Sequence, residues 1–235
     1  HREREARATI VLTPVDDPSA YGLVEIDDLG NVRRFLEKPS PDQITCNTIN
    51  AGIYVLEPET FDRIPDGTKW SIERQYFPSL VERGETFVAY VDRGYWLDIG
   101  TPASYVRAHR DLMAHRCAAG PFVGQPPGTV YRDGDCQVAE DAEIEGPCFL
   151  GAGCVVGEGA RVGAESVLGA GCTIGPGAVV ERSILWRDTL VERQAVVCDA
   201  VLGERCHIEH HAEVGPGTVL GNGSTLAAHS RTPRC

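Results

Sequence analysis

The sequence predicts an α/β domain followed by an all-β coil of parallel strands, and three observations carry that expectation. Through about residue 116, β-rich runs alternate with short helical ones; residues 117–135 are dense in Gly and Pro; and from residue 136 apolar positions recur every six residues. Two folding periods share one chain, with boundaries expected at 1–116, 117–135 and 136–230.

A chain of 235 residues, 42% of them hydrophobic, can bury the core of one large domain or two modest ones. No apolar run approaches the roughly 18–20 residues that span a bilayer, and the opening "HREREARATIVL" lacks a long apolar stretch before a small-residue cleavage site. A soluble, unsecreted protein is expected, with no membrane partner. The net charge of -12 disfavours binding to a phosphate backbone, so nucleic acid is not an expected partner. A local cationic pocket for a small phosphorylated ligand stays open. The first residue, His1, is not an initiator Met, and the strand-like "ATIVLTPV" follows almost at once, so the chain reads as entering in the middle of a fold.

In the first half, "ATIVLTPV", "YGLVEID", "VRRFLEKP", "INAGIYVL" and "TFVAYVDRGYWLDIG" are rich in β-branched, aromatic and apolar residues and read as strands. Between them "PETFDRI" and "IERQYFPSLVERG" suggest short helices. A further helix, "TPASYVRAHRDLMAHR", opens with Thr101 at the N-cap and Pro102 at the first helical position.

Beyond residue 135 the six-residue series runs through Val138, Ile144, Leu150, Val156, Val162, Leu168, Ile174, Val180 and Trp186. It resumes at Leu202, Ile208, Val214, Leu220 and Leu226. Two places before each of these apolar residues but Trp186 sits a small one, and Gly often follows the apolar residue, where a tight turn needs a permissive backbone. Three hexads can make one triangular coil that buries the apolar residue and fits the small one inside the corner, an architecture that resembles a left-handed β-helix. The step from Trp186 to Leu202 is not a multiple of six, and Ile184 occupies a small-residue place, so one coil there is expected to be irregular. Five of the nine Cys (Cys136, Cys148, Cys154, Cys172, Cys206) fall in the small slot, and no C-x-x-C pair exists. They read as structural thiols, and free thiols favour the cytoplasm.

Four motifs occur in order within residues 21–102: "YGLVEID", "FLEKP", "NAGIYVL" and "WLDIGTP". Together they resemble the sugar-binding half of the nucleotide-sugar pyrophosphorylases, or sugar-1-phosphate nucleotidyltransferases. Within that family they are most similar to the mannose-1-phosphate guanylyltransferase-like branch, whose members often carry a C-terminal hexapeptide β-helix. The resemblance implies a partial Rossmann-like domain and nucleotide-sugar biosynthesis: a hexose 1-phosphate attacks the α-phosphorus of an NTP, with GTP favoured, and pyrophosphate leaves. It implies Mg²⁺ as cofactor.

The family's site residues carry over by motif. Lys38 would neutralise the sugar phosphate, Glu37 would accept a hydrogen bond from a sugar hydroxyl, and Asn50 and Gly22 would bound the hexose. Asp98 would be one of two carboxylates on the metal. Lys38 and Asp98 are thus the implied catalytic pair, and all five residues are expected in one cleft. Read alone, Asp98 would cap the helix that follows it, although Thr101 is better placed for that. The family's Gly-rich phosphate loop and its other metal carboxylate do not precede "HREREARATI", so little activity is expected of this polypeptide alone.

Two other functions fit parts of the sequence. A hexapeptide-repeat acyltransferase could use a histidine of "CHIEHHAEV" as general base, although His207 and His211 flank the inward Ile208 and no long insertion accompanies them. A non-catalytic regulatory or scaffold subunit would keep the sugar pocket and use the β-helix for assembly. Exposed coil edges allow homo-oligomerisation in any of these cases.

Overall fold

The computed structural model describes residues 1–233, in two compact units, the first His1–Trp96 and the second starting at Leu97. The first unit is a mixed sheet of β1 (Ala8–Pro14), β2 (Gly22–Ile26), β3 (Val32–Glu37), β4 (Thr48–Leu56) and β5 (Phe87–Val91), ordered β3-β2-β4-β1-β5. Only β1 and β5 run parallel; the other neighbours are antiparallel.

Alternation along β1 turns Ala8, Ile10 and Leu12 inward, each fully buried. They meet Phe77, the first residue of helix α1 (Phe77–Glu82), whose ring lies 5.1 Å from Phe35, 5.0 Å from Tyr54 and 5.3 Å from Phe87. Such offset and tilted ring pairs add to the area they bury. The opposite face of the sheet presents Ile53, Val55 and Tyr90, all exposed.

The stretch "IERQYFPSLVERG" divides into two segments: a π-helical turn over Ile72–Tyr76 precedes α1. Pro78 has no N–H for a helical bond, and upstream the amides of Gln75 and Tyr76 both donate to the Ser71 carbonyl. The expected long strand "TFVAYVDRGYWLDIG" is also shorter than its composition suggests. Its ladder ends at Val91, and residues 92–100 run outside any sheet, so Asp98 is not on a strand.

In the second unit, helix α2 (Pro102–Met113) has the expected start. The Thr101 hydroxyl accepts from the Ser104 amide at 3.1 Å in a capping box, with Pro102 in the first turn. Parallel strands then stack into a three-sided β-helix, from Val130–Arg132 to Thr225–Leu226. Its first strand therefore lies inside the Gly/Pro-rich stretch 117–135 and pairs with Cys148–Leu150.

Both repeated slots behave as the sequence requires. Leu150, Val156, Val162, Leu168, Ile174 and Val180 point inward and are buried, and Val138, Ile144, Leu220 and Leu226 pack partly buried at the ends. One corner stacks Cys136, Cys154, Cys172, Thr189 and Cys206, and each donates to a carbonyl of the following coil, those of Gly151, Gly169, Trp186, Gly203 and Gly221. The thiols therefore fill the corner and also satisfy backbone acceptors there. Burial pushes the Cys148 thiol up to about 12, which leaves it inert.

The irregularity differs from the expectation. Leu168 pairs with Leu185, and Leu185 with Leu202, so two successive coils are each one residue short of three hexads. The first loss falls at the Glu181–Ser183 turn, ahead of Trp186. Arg182 there takes φ 47°, and Ser183 fills the small slot in place of Ile184. Leu185 is therefore the core residue, 1% exposed, while Trp186 is turned out at 41%. Its indole donates to the Tyr105 hydroxyl of α2 at 3.2 Å.

This phase predicts that Leu185→Ala costs about 2–4 kcal/mol through the cavity it leaves, against about 1 kcal/mol for Trp186→Ala, which loses one exposed hydrogen bond. Urea denaturation of the two variants measures the difference, and the reverse order would restore the six-residue phase through Trp186.

Candidate functional site

In the first unit the motif residues sit on adjoining strands. Gly22 at the start of β2 lies directly opposite Glu37 at the end of β3, and Leu23 pairs with Ile49, next to Asn50 on β4. A methyl group at Gly22 would lie 2.9 Å from the Phe35 ring and 3.1 Å from a Glu37 carboxylate oxygen, so glycine is what admits that carboxylate. Burial, and next the neighbouring Glu73 of the π-helical turn, raise the Glu37 pKa, and Lys38 opposes them more weakly.

Lys38 has a left-handed backbone, φ 49°, with its amide donating to the Tyr21 carbonyl at 3.1 Å and its side chain exposed. Among the described residues its ammonium forms no ion pair. A lysine held in this region ahead of the buried Pro39 is a local cost of about 1–2 kcal/mol that surrounding contacts must impose.

Asn50 is fixed by two bonds: its side-chain amide donates to the Tyr54 hydroxyl at 2.8 Å, and its carbonyl oxygen accepts from the Gly52 amide at 2.9 Å. Gly52, at φ 81°, lies in a bulge where β4 loses register with β1 between Ile10 and Leu12. The freed Ala51 carbonyl accepts from the Trp96 indole at 3.2 Å, and Trp96 sets its edge on Tyr21 at 5.5 Å. Tyr54 is half-buried, and burial raises its pKa, with the charges of Glu73 and Glu37 adding to the effect.

The strand-end cluster thus offers one exposed ammonium, two carboxylates, an amide and a phenol. That set can bind a polyhydroxylated ligand bearing an anionic group. Tyr54, Glu73 and Trp96 escaped the sequence reading; an "NAG" run with a Gly inside a strand is the local signal for the bulge that gathers them.

Asp98 belongs to the second unit and is exposed on the extended stretch before α2. It does not cap the helix, because Thr101 does. Gly100 follows closely enough that a methyl there would lie 3.3 Å from the Asp98 carboxylate. Among the described residues no three His, Cys, Asp or Glu side chains are grouped to hold a metal, so Asp98 offers one hard oxygen ligand. That is compatible with an ion whose other ligands are phosphates and water.

The histidines of "CHIEHHAEV" lie on uninterrupted repeat backbone. Cys206 and Ile208 are buried in their slots, His207 contacts Glu192 at 2.7 Å, and His211 is exposed at a corner. No helix among the described residues is long and apolar enough to cross a membrane.

Residues 1–115 match the family model for nucleotidyl transferase, and residues 127–231 match that of the EIF2B subunit epsilon LbH domain. The chain is 38% identical over 157 residues to the mannose-1-phosphate guanylyltransferase of Mycobacterium tuberculosis, covering 65% of this chain and 42% of that protein. It is 36% identical over 159 residues to the UTP–glucose-1-phosphate uridylyltransferase of Synechocystis sp., covering 64% and 40%. It is 30% identical over 225 residues to "Probable mannose-1-phosphate guanylyltransferase 3" of Oryza sativa subsp. japonica, covering 94% and 56%. The chain spans about half the length of the curated relatives it matches.

The contact geometry at Gly22 yields a test. Gly22→Ala should destabilise the chain by about 1–3 kcal/mol through overpacking, and adding Phe35→Leu should restore part of the loss. Urea midpoints report both, and a neutral Gly22→Ala would show that Phe35 and Glu37 do not pack against this backbone.

Proposed function

This chain belongs to the nucleotide-sugar pyrophosphorylases that carry a C-terminal β-helix, and from that premise we propose that the whole protein is a sugar-1-phosphate nucleotidyltransferase. An oxygen of the hexose 1-phosphate attacks the α-phosphorus of the NTP, the bond to the β-phosphate breaks, and pyrophosphate departs. The observation that carries this reading is the gathering of Gly22, Glu37, Lys38 and Asn50 on adjoining strand ends. The free ammonium of Lys38 suits the sugar phosphate as a point charge, and Glu37 and Asn50 suit hydroxyls of the ring. Asn50, pinned by Tyr54 and Gly52, is oriented before any ligand arrives, which lowers the ordering cost of binding.

We assign Asp98 to the metal. A divalent ion, Mg²⁺ by its preference for oxygen ligands and phosphates, would offset phosphate charge when bound. Guanosine and mannose are favoured because the Mycobacterium and Oryza relatives carry those names, and the Synechocystis relative makes uridine and glucose the alternative. The β-helix would serve assembly, and the free thiols fit a cytoplasmic setting.

The test uses the whole protein. Pyrophosphate release is measured with GTP, UTP and dTTP against mannose and glucose 1-phosphates across Mg²⁺ concentrations. Asp98→Asn should lower turnover by about 10²-fold or more with little change in stability, since only the charge is removed. Lys38→Met should chiefly raise KM for the sugar phosphate. Unchanged turnover and metal response in Asp98→Asn would remove it from the site, and release with none of the substrate pairs would sink the reading.

A further inference from the structure

On one corner of the β-helix the last coils bring together His210, His211 and His229, with ring centroids 5.3 Å, 4.9 Å and 5.7 Å apart. His211 and His229 stand at equivalent places in successive coils, both left-handed at φ 58° and 61°, and their rings stack within 9° of parallel at 4.9 Å. Gln194 holds the same place one coil earlier, at φ 56°. A stacked pair of neutral imidazoles is an apolar contact; a stacked pair of imidazolium ions is two like charges in van der Waals range.

The surrounding charges divide the histidines into two sets. The Glu192 carboxylate faces His207 at 2.7 Å and His210 at 3.3 Å, and it also accepts the His210 amide at 2.9 Å. Hydrogen bonding from His207 chiefly holds the Glu192 pKa down, so an anion stands ready for those two rings. Among the described residues neither His211 nor His229 forms an ion pair with a carboxylate. His211 faces His229, His210 and Arg193, and its amide donates to the Arg193 carbonyl. Of the other charged groups nearby, Glu209 is engaged by the Ala228 amide at 2.9 Å and Glu213 by Arg231 at 2.7 Å.

We propose that this histidine corner is an acid-sensitive latch on the coil that carries His229, closed while the stacked rings of His211 and His229 are neutral and loosened when both carry protons. The coil it holds is attached by the His229 amide to the His210 carbonyl, Glu209 to Leu226, and Glu213 to Ser230. Its strands, Val219–Leu220 and Thr225–Leu226, stand at the edges of their sheets among the described residues.

The direction follows from linkage. Desolvation and then the neighbouring cations lower the folded pKa of His211 below the ordinary histidine value. The folded corner therefore binds fewer protons than the unfolded one. Its contribution to stability is present above the ordinary value, about 6.5, and is lost as pH falls through and below it.

Amide hydrogen exchange on the protein at about pH 7.5 and about pH 5.5, converted to protection factors, reads the latch directly. Amides of Glu209, Glu213, His229 and Ser230 should lose about 10-fold more protection on acidification than those of Val155 and Gly169 in the middle coils. In His211→Asn/His229→Asn, where Asn accepts the left-handed backbone, that excess should vanish. No selective loss in the unaltered protein, or an equal loss in the double variant, overturns the proposal. Imidazole titration by NMR decides it independently of the variant's folding: a His211 midpoint below the ordinary value supports the latch, and one at or above it overturns it.

Discussion

Each coil of the β-helix must return to register with the one before it, and the rest of the second unit is arranged around that requirement. Backbone groups on every face find partners in the neighbouring coils, as Val155 does between Gln137 and Thr173. A coil that overshot would leave those groups unpaired in the interior, at a cost of about 1–3 kcal/mol each. The small-residue slot follows from the same requirement, because a corner turns inward where a larger side chain would push adjacent coils apart. The Cys and Thr column meets both needs with one atom, filling the corner and donating to the next coil's carbonyl.

Register also explains how two short coils are tolerated. Each shortened turn keeps the left-handed residue that the full-length turn before them has at Glu165, here Arg182 at φ 47° and Asp199 at φ 48°. Neither is a glycine, and the strain is offset by their own side chains. The Arg182 guanidinium holds the Asp199 carboxylate at 2.9 Å and 2.7 Å. The Arg110 guanidinium of α2 adds Asp199 at 3.3 Å and Glu165, the left-handed residue of the preceding coil, at 2.9 Å. Held chiefly by Arg182, the Asp199 carboxyl stays below its ordinary range. The shortened coils and the docking of α2 on this unit are therefore one structural event, with Trp186 turned outward to meet Tyr105 as its consequence.

Legibility in the sequence tracks how far each feature depends on local chemistry. The β-helix was readable because burial and corner size repeat in every hexad. Its phase near residue 185 was not, because "ILW" is apolar at three consecutive positions and a residue lost within a turn leaves no trace in hydropathy. In the first unit, Gly22, Glu37, Lys38 and Asn50 announced themselves through motifs, and their strands do adjoin. Tyr54, Glu73 and Trp96 did not, since their placement needs the bulge at Gly52 and the π-helical turn ahead of Pro78, both products of tertiary packing. The same limit misplaced Asp98 on a strand: "YVDRGYWLDIG" has strand composition, but its ladder partners stop at Val91.

All three corners of the β-helix carry non-glycine left-handed residues, and two of them answer the same backbone demand with different chemistry. One stacks Glu165, Arg182 and Asp199, alternating in sign, with Arg182 paired to Asp199 and Arg110 of α2 paired to both carboxylates. The other places Gln194, His211 and His229 in one column, where the two imidazoles stack on each other. Arg110 of α2 engages the first corner, and the stacked histidines of the second join the last two coils described. A permanent ion ladder suits the place where a helix must stay docked, whereas a column of imidazoles makes the cohesion of the last coil depend on proton concentration. The repeat alone dictates that something must occupy each corner, and the choice of side chain there determines which end of the unit can respond to its surroundings.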